Sequence, residues 1–386
     1  VSRPQSLFIL AGEPSADVLG GAIMRELGSS LRCFGIGGNA MQAAGLELIA
    51  EQDALTVIGF GQAIKAWPRL SRLADDLIVE IIARRPDAIL TIDSKGFSLR
   101  FAQRLKKAMA KANWQAPIMH LVAPTVWAWG RGRAKRFAAV FDRLLCLFPF
   151  EPPYFTPHGL KSDYVGHPLF DRNVPTKAEA RKTLKCDSKS TILVLAPGSR
   201  KSEIRRLLPR MMTAYDDLKS KAPSLKAILP ASAYVQPLIK TILAEREDIQ
   251  LVAGDEQTMT AFAAGDAGII CSGTATLEAG LAGLPGVIIY DADWFSLYLG
   301  RLVIDINKVV LANVLADQRL YPFLLGKEVT SEAIGHHVLS ALSDPKQGAN
   351  IAAVINSAAR PSHHHLLHTS FAEASAAVIK DTLSEN

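Results

Sequence analysis

The run Ala88-Ile89-Leu90-Thr91-Ile92 shows no alternation of apolar and polar residues and stops abruptly at Asp93. A strand with one wet face alternates; one this evenly apolar is buried on both faces, as in a parallel sheet covered by helices. Comparable runs fall at residues 6–10, 32–36 and 117–122, and again at 191–195, 225–229, 249–252, 267–270 and 286–290. Helix-like stretches separate them, among them 17–27, 70–85 and 97–112. Parallel strands need helical crossovers, so this rhythm predicts an α/β chain with two Rossmann-like, doubly wound domains. A Pro-containing connection, Gly166-His167-Pro168 through Val174-Pro175, places the junction after residue 170, giving domains 1–170 and 171–365 followed by a terminal segment 366–386. Ligands in such sheets gather beyond the carboxyl ends of the strands, so a cleft between the halves is expected.

With 386 residues, 49% of them hydrophobic, the chain can fill two cores. No apolar run approaches the roughly 20 residues that cross a bilayer. Strand-like sequence begins almost at once, so no signal peptide is expected and a cytoplasmic location is. Four scattered cysteines and the histidines lack metal-ligand spacing, so no metal and no cofactor are expected. A net charge of +6 is too small to imply nucleic-acid binding, and suits an anionic ligand or anionic membrane surface.

Chemistry-bearing residues follow the apolar runs directly. After 267–270 come Ser272-Gly273-Thr274-Ala275, where open amides at a helix start would cradle a diphosphate. Glu278 lies four residues beyond Thr274, on the same helical face, and could accept from two ribose hydroxyls. The competing reading is an ordinary helix cap. Arg200 and Glu203 open the helix after 191–195, the arginine suited to phosphate and the glutamate to ordering it or serving as an N-terminal acid. Glu13 follows the first strand and could act as base or bind substrate hydroxyls, with Ser15 or Asp17 as the helix cap beside it. Asp93 is either a general base or a helix cap. Trp127 and Trp129 sit in a loop where they would stack on a sugar, meet acyl chains, or plug the core. Arg131, Arg133, Lys135 and Arg136 then form a solvated basic face or a phosphate collar. His167 either braces the hinge or reaches the site. Ile64, Trp67, Leu70 and Leu73, interleaved with Lys65, Arg69 and Arg72, make a stripe suited to core or to anionic lipid.

Taken in order, Ala11-Gly12-Glu13-Pro14-Ser15-Ala16-Asp17, Ile92-Asp93-Ser94, Ala123 to Trp129, Phe148-Pro149-Phe150-Glu151, Val165-Gly166-His167-Pro168, Pro197 to Glu203, Ser272 to Glu278 and Leu311-Ala312-Asn313 resemble the lipid-A-disaccharide synthase family. The resemblance implies a two-domain GT-B glycosyltransferase fold and metal-free, inverting transfer from UDP-2,3-diacylglucosamine to 2,3-diacylglucosamine 1-phosphate. It also implies peripheral attachment to the inner membrane. By position it assigns Asp93 (the favoured base) and Glu13 to catalysis, and Ser15, Trp127 and His167 to the acceptor cleft. Arg200, Glu203, Ser272 to Ala275, Glu278 and Asn313 fall on the UDP-sugar side. A lipid substrate favours membrane contact by Ile64, Trp67, Leu70 and Leu73. In this fold a last helix often returns to the first domain, so 371–383 is expected to do so or to exchange within a homodimer.

Two positions depart from the family pattern. Where Pro-Asp-Phe usually follows the segment containing Asp93, this chain has Lys95-Gly96-Phe97, so a second acid is missing. Phe323 and Gly326 replace polar groups near Tyr321-Pro322, and no nucleotide contact is assigned to them. Another UDP-sugar GT-B enzyme, such as an N-acetylglucosaminyltransferase or epimerase, and a non-catalytic nucleotide-sugar-binding scaffold are the alternatives.

Overall fold

The structure, a computed structural model, describes residues 4–385 apart from 53–54, 56–59, 188–189, 245, 255–256, 292–307 and 361–368, with backbone alone for 60–67. The chain divides into two compact units, Val1–Asp171 with Ser362–Asn386, and Arg172–Pro361.

Unit 1 is built from β1 (Ser6–Ala11), α1 (Pro14–Leu27), β2 (Arg32–Gly37), α2 (Asn39–Ala43), β3 (Glu47–Glu51) and α3 (Phe60–Arg84). It continues through β4 (Ala88–Ile92), α4 (Lys95–Lys111), β5 (Ile118–Leu121), α5 (Arg133–Ala138), β6 (Arg143–Cys146) and β7 (Lys161–Tyr164). Its seven strands are parallel in the order β3-β2-β1-β4-β5-β6-β7. The chain winds outward from β1 in one direction, then returns to lay β4 on the other side of β1. The evenly apolar β4 is buried along its whole length. Helices α3, α4 and α5 contribute Leu77, Phe101 and Phe137 to one core with Phe8 and Ile89 of the sheet.

Unit 2 repeats the plan with α6 (Lys177–Thr183), β8 (Ile192–Ala196), α7 (Lys201–Lys221), β9 (Lys226–Ala231), α8 (Gln236–Leu243), β10 (Ile249–Ala253) and α9 (Thr258–Ala264). Then follow β11 (Ala267–Cys271), α10 (Ala275–Leu281), β12 (Gly286–Tyr290), a short helix Leu311–Ala316, β13 (Phe323–Leu325) and helices Ser331–Ser343 and Gln347–Ala359. Its strands, also parallel, lie in the order β10-β9-β8-β11-β12-β13.

The C-terminal helix Phe371–Ser384 belongs to unit 1. Ser370 caps it, reciprocated by Glu373. Arg143 of β6, nearly buried, ties it down, donating to Asp381 Oδ2 at 2.6 Å, Thr382 Oγ1 at 2.9 Å and the Val378 carbonyl at 3.3 Å. The same guanidinium grips Asp163 of β7 at 2.7 and 3.1 Å, so one buried cation is fully answered across three segments.

Candidate functional site

Each sheet has one place where neighbouring strands lead away in opposite directions, and there the connecting turns leave room for a ligand. In unit 1 it lies between β1 and β4, which run in register with Ala11 beside Ile92. The turns leaving those strands carry Glu13 and Asp93. Gly12 lets them close on each other, since a Cβ there would lie 3.0 Å from Ser94 Oγ and 3.3 Å from Leu55. Ser94 Oγ in turn donates to Glu13 Oε1 at a long 3.4 Å. Glu13 is exposed and makes no cap bond to α1, although its backbone occupies the cap position.

Asp93 is held from both sides. Its amide donates to the Leu121 carbonyl at 3.0 Å, and its own carbonyl accepts from Ser98 Oγ at 2.8 Å. Asp93 and Ser94 both adopt left-handed backbone, φ 51° and 43°. Successive non-glycine residues there cost on the order of 1 kcal/mol each, and persist because surrounding bonds over-determine them. Lys95 Nζ donates to Asp93 Oδ1 at 2.6 Å, with both side chains roughly three-tenths exposed. Asp93 does not cap α4; Ser94 occupies that position.

Two buried titratable groups stand behind this pair. Burial pushes the Glu151 carboxyl up to about 8, against the pull of the Phe148 and Leu147 amides it accepts from and the Lys95 charge. Burial pushes His120 down to about 3, and its Nδ1 lies 2.7 Å from Thr91 Oγ1. Burial thus favours the uncharged form of both groups, which leaves Asp93 as the carboxylate hydrogen-bonded to the Lys95 ammonium.

In unit 2 the equivalent place lies between β8 and β11, with Ala196 beside Ile270. The turn after β8 is drawn tight by Glu203, whose carboxylate accepts from the Arg200 amide at 3.3 Å and from Arg200 Nη1 at 3.0 Å. Only glycine fits at 198: its φ is +101°, and a Cβ would lie 2.5 Å from Glu203 Oε2. Glu203 is therefore an inward anchor, its side chain 11% exposed, while Arg200 projects outward at 77%. The turn after β11 presents Gly273 and Thr274 to solvent and Ala275 half-buried. Ser272 is anchored by its amide on the Ile289 carbonyl and by Oγ on the Val309 carbonyl, both at 3.1 Å. Buried Thr276 donates to the Gly273 carbonyl at 2.8 Å. Among the described residues the amides of Gly273, Thr274 and Ala275 donate to nothing. Three open amides beside a projecting guanidinium can hold an anion without an acid reaching in. Glu278, mostly buried, lies 3.6 Å from Arg172 Nη1.

Other residues singled out from the sequence have different employment. Trp127 is 6% exposed and meets Phe150 edge-on at 5.1 Å, which makes it a core plug rather than a sugar platform; Trp129, at 43%, is the exposed indole. Asn313 gives Nδ2 to the Tyr321 carbonyl and takes the Leu320 and Tyr321 amides on Oδ1, so its amide closes a loop instead of facing a nucleotide. His167 accepts the Leu169 amide at 3.1 Å and stacks on Phe148, bracing the chain after β7. Ser15 is exposed on the first turn of α1. Asp17, buried, takes the Gly38, Ala40 and Met41 amides and so caps α2 rather than α1. Leu70, 7% exposed, belongs to the unit 1 core, which removes it from any lipid-facing stripe, and half-buried Leu73 packs against that core. The side chains of Ile64 and Trp67 lie outside the described residues. Lys95 is the site residue that sequence reasoning passed over; its only signal was a departure from the family pattern.

Among the described residues no group of three His, Cys, Asp or Glu side chains could hold a metal, and no helix is long and apolar enough to cross a membrane. A family model for lipid-A-disaccharide synthetase matches residues 7–378. Lipid-A-disaccharide synthase from Anaeromyxobacter sp. (strain K) is 35% identical over 343 residues, 88% of each chain. That from Gluconobacter oxydans is 34% identical over 98% of this chain and 91% of its own. The fold is also that of a UDP-GlcNAc 2-epimerase from Neisseria meningitidis, TM-score 0.61 and 12% identity, covering 99% of this chain and all of the other. A glycosyltransferase from Rickettsia africae gives TM-score 0.58 and 11% identity over the full length of both.

Proposed function

The chain belongs to the lipid-A-disaccharide synthase family, a family of glycosyltransferases, and from that premise we propose its particular reaction. It transfers 2,3-diacylglucosamine from UDP-2,3-diacylglucosamine to 2,3-diacylglucosamine 1-phosphate, with inversion, giving the β-1,6-linked disaccharide 1-phosphate and UDP. The observation that carries this reading is the set of three open amides, Gly273 to Ala275, on the turn neighbouring Arg200. They suit the diphosphate of the donor, and they meet the charge that grows on UDP as it departs. Glu278 is assigned to the ribose hydroxyls. Glu203 acts through Arg200, and Asn313 through the loop it closes.

The acceptor hydroxyl must attack the anomeric carbon from the face opposite UDP. As the new carbon–oxygen bond forms, the bond to the diphosphate breaks and UDP leaves with its electron pair. The hydroxyl proton passes to a base, for which Asp93 is chosen. Lys95 holds Oδ1 and leaves Oδ2 with no bond among the described residues. Glu13, joined to the same turn through Ser94, orients the acceptor. The enzyme works as a peripheral protein on the anionic inner-membrane surface, where Ile64 and Trp67 meet lipid.

The test is direct: purified protein with both acylated sugars, scored for disaccharide and UDP. UDP binding without disaccharide would point to a nucleotide-sugar scaffold, and turnover confined to non-acylated sugars would point to another UDP-sugar enzyme.

A further inference from the structure

The 48 residues from Ser94 to Phe141 contain ten lysines and arginines and no aspartate or glutamate, whereas the rest of the chain holds 33 basic and 37 acidic residues. The positive excess of the whole protein thus comes from one continuous stretch of unit 1. Part of it is neutralised within the fold. Arg104 pairs with Asp75 and Lys106 with Asp142. The end nearest the carboxyl edge of the sheet is different. Arg131, Lys135 and Arg136 are exposed, and among the described residues no carboxylate pairs with them. In α5, Ala134 and Phe137 face the core, which turns Lys135 and Arg136 outward.

Beside them stands Trp129, 43% exposed and rigidly mounted. The Arg133 guanidinium lies 3.6 Å over its ring and donates to the Thr125 and Trp129 carbonyls at 3.2 and 2.9 Å. A cation–π contact with two backbone bonds fixes the indole where its apolar face meets water. In water that is an unfavourable arrangement, with a large ring exposed and like charges crowded. At an anionic bilayer both penalties reverse, because indoles favour the headgroup layer and lysines and arginines meet lipid phosphates.

We infer that Trp129, Arg131, Lys135 and Arg136 form a docking surface for an anionic lipid bilayer. The choice of a bilayer over another polyanion rests on the acylated substrates proposed above. Docking brings the loop that follows β5, and so the edge carrying Asp93, to the surface where such substrates reside.

The experiment is co-sedimentation with phosphatidylcholine vesicles with and without phosphatidylglycerol, at low and high salt. Wild type should sediment with the anionic vesicles only and be released by salt. Removing one surface cation should weaken partition about fivefold, so R131Q/K135Q/R136Q should lose roughly a hundredfold. Trp129→Ala should lose a smaller, less salt-sensitive share. Matched UDP binding and thermal unfolding establish that these variants are folded. Wild-type sedimentation by the triple variant would overturn the proposal, as would equal binding of wild type to neutral vesicles. So would a raised acceptor KM in neutral detergent micelles with unchanged sedimentation, which would make the patch a phosphate collar. Sedimentation requires no turnover: an inactive protein that docks through this patch would sink the proposed reaction alone, and an active one that docks elsewhere would sink this inference alone.

Discussion

The two units share one topology and differ in what they place at the same point of it. Where strand order reverses in unit 1, the turns after β1 and β4 present Glu13 and Asp93, with Lys95 on the latter. Where it reverses in unit 2, the turns after β8 and β11 present Arg200 and three open amides, while the acid nearby, Glu203, is folded inward. A doubly wound sheet supplies the concavity in both cases. Side-chain charge then decides the role. Carboxylates suit proton transfer from a hydroxyl, and amides with a guanidinium suit a departing diphosphate. The contrast teaches that the fold supplies the same concavity twice, and the charge standing there is what suits each to its half of the proposed reaction.

That contrast can be broken in a definite order of effect. Asp93→Asn should lower kcat by roughly a hundredfold to ten-thousandfold, the usual worth of a general base, and leave UDP binding intact. Glu151→Gln probes the buried acid that stands behind the Lys95–Asp93 pair. With a folded value of about 8 against about 4.5 unfolded, the folded state holds the extra proton between those values, so wild-type stability falls as pH rises through that window. The glutamine variant lacks this loss. Its stability relative to wild type should improve by on the order of 3 kcal/mol from pH 5 to pH 8 in denaturant titrations. No change in that difference would mean that Glu151 ionises freely. Arg200→Ala should weaken UDP binding about thirtyfold, as loss of a charge-assisted contact, without a matching fall in kcat at saturating donor. Smallest, Lys95→Met should reduce kcat several-fold with little change in KM, and Lys95→Arg should restore most of it. A KM effect alone would make Lys95 a substrate ligand rather than a positioning residue.

Much of this was legible in the sequence because parallel strands buried on both faces are evenly apolar, and functional turns follow them at once. That adjacency places Asp93, Arg200 and Ser272 to Ala275 on the turns after β4, β8 and β11, where the structure has them. Strands β3, β6, β7 and β13 escape this pattern; β3, Glu47–Glu51, is charged at both ends, and β13, Phe323–Leu325, is short. β6 carries Arg143, and β7, Lys161–Tyr164, is polar along most of its length, since the C-terminal helix and ion pairs complete its surroundings. Trp127, Asn313 and Leu70 were misread for a related reason: sequence places a residue on a loop or helix, while its direction depends on distant partners such as Phe150 or Tyr321. Lys95 was the reverse case, an apparent loss of an acid that proved to supply a cation to Asp93.

The division of labour between the units is tested most directly by titrating UDP into Asp93→Asn and Arg200→Ala by calorimetry, alongside turnover of each. Asp93→Asn should bind UDP within about twofold of wild type while its turnover falls at least a hundredfold, and Arg200→Ala should show the binding defect. Near-normal turnover by Asp93→Asn, or loss of UDP affinity in it equal to that of Arg200→Ala, would contradict the account.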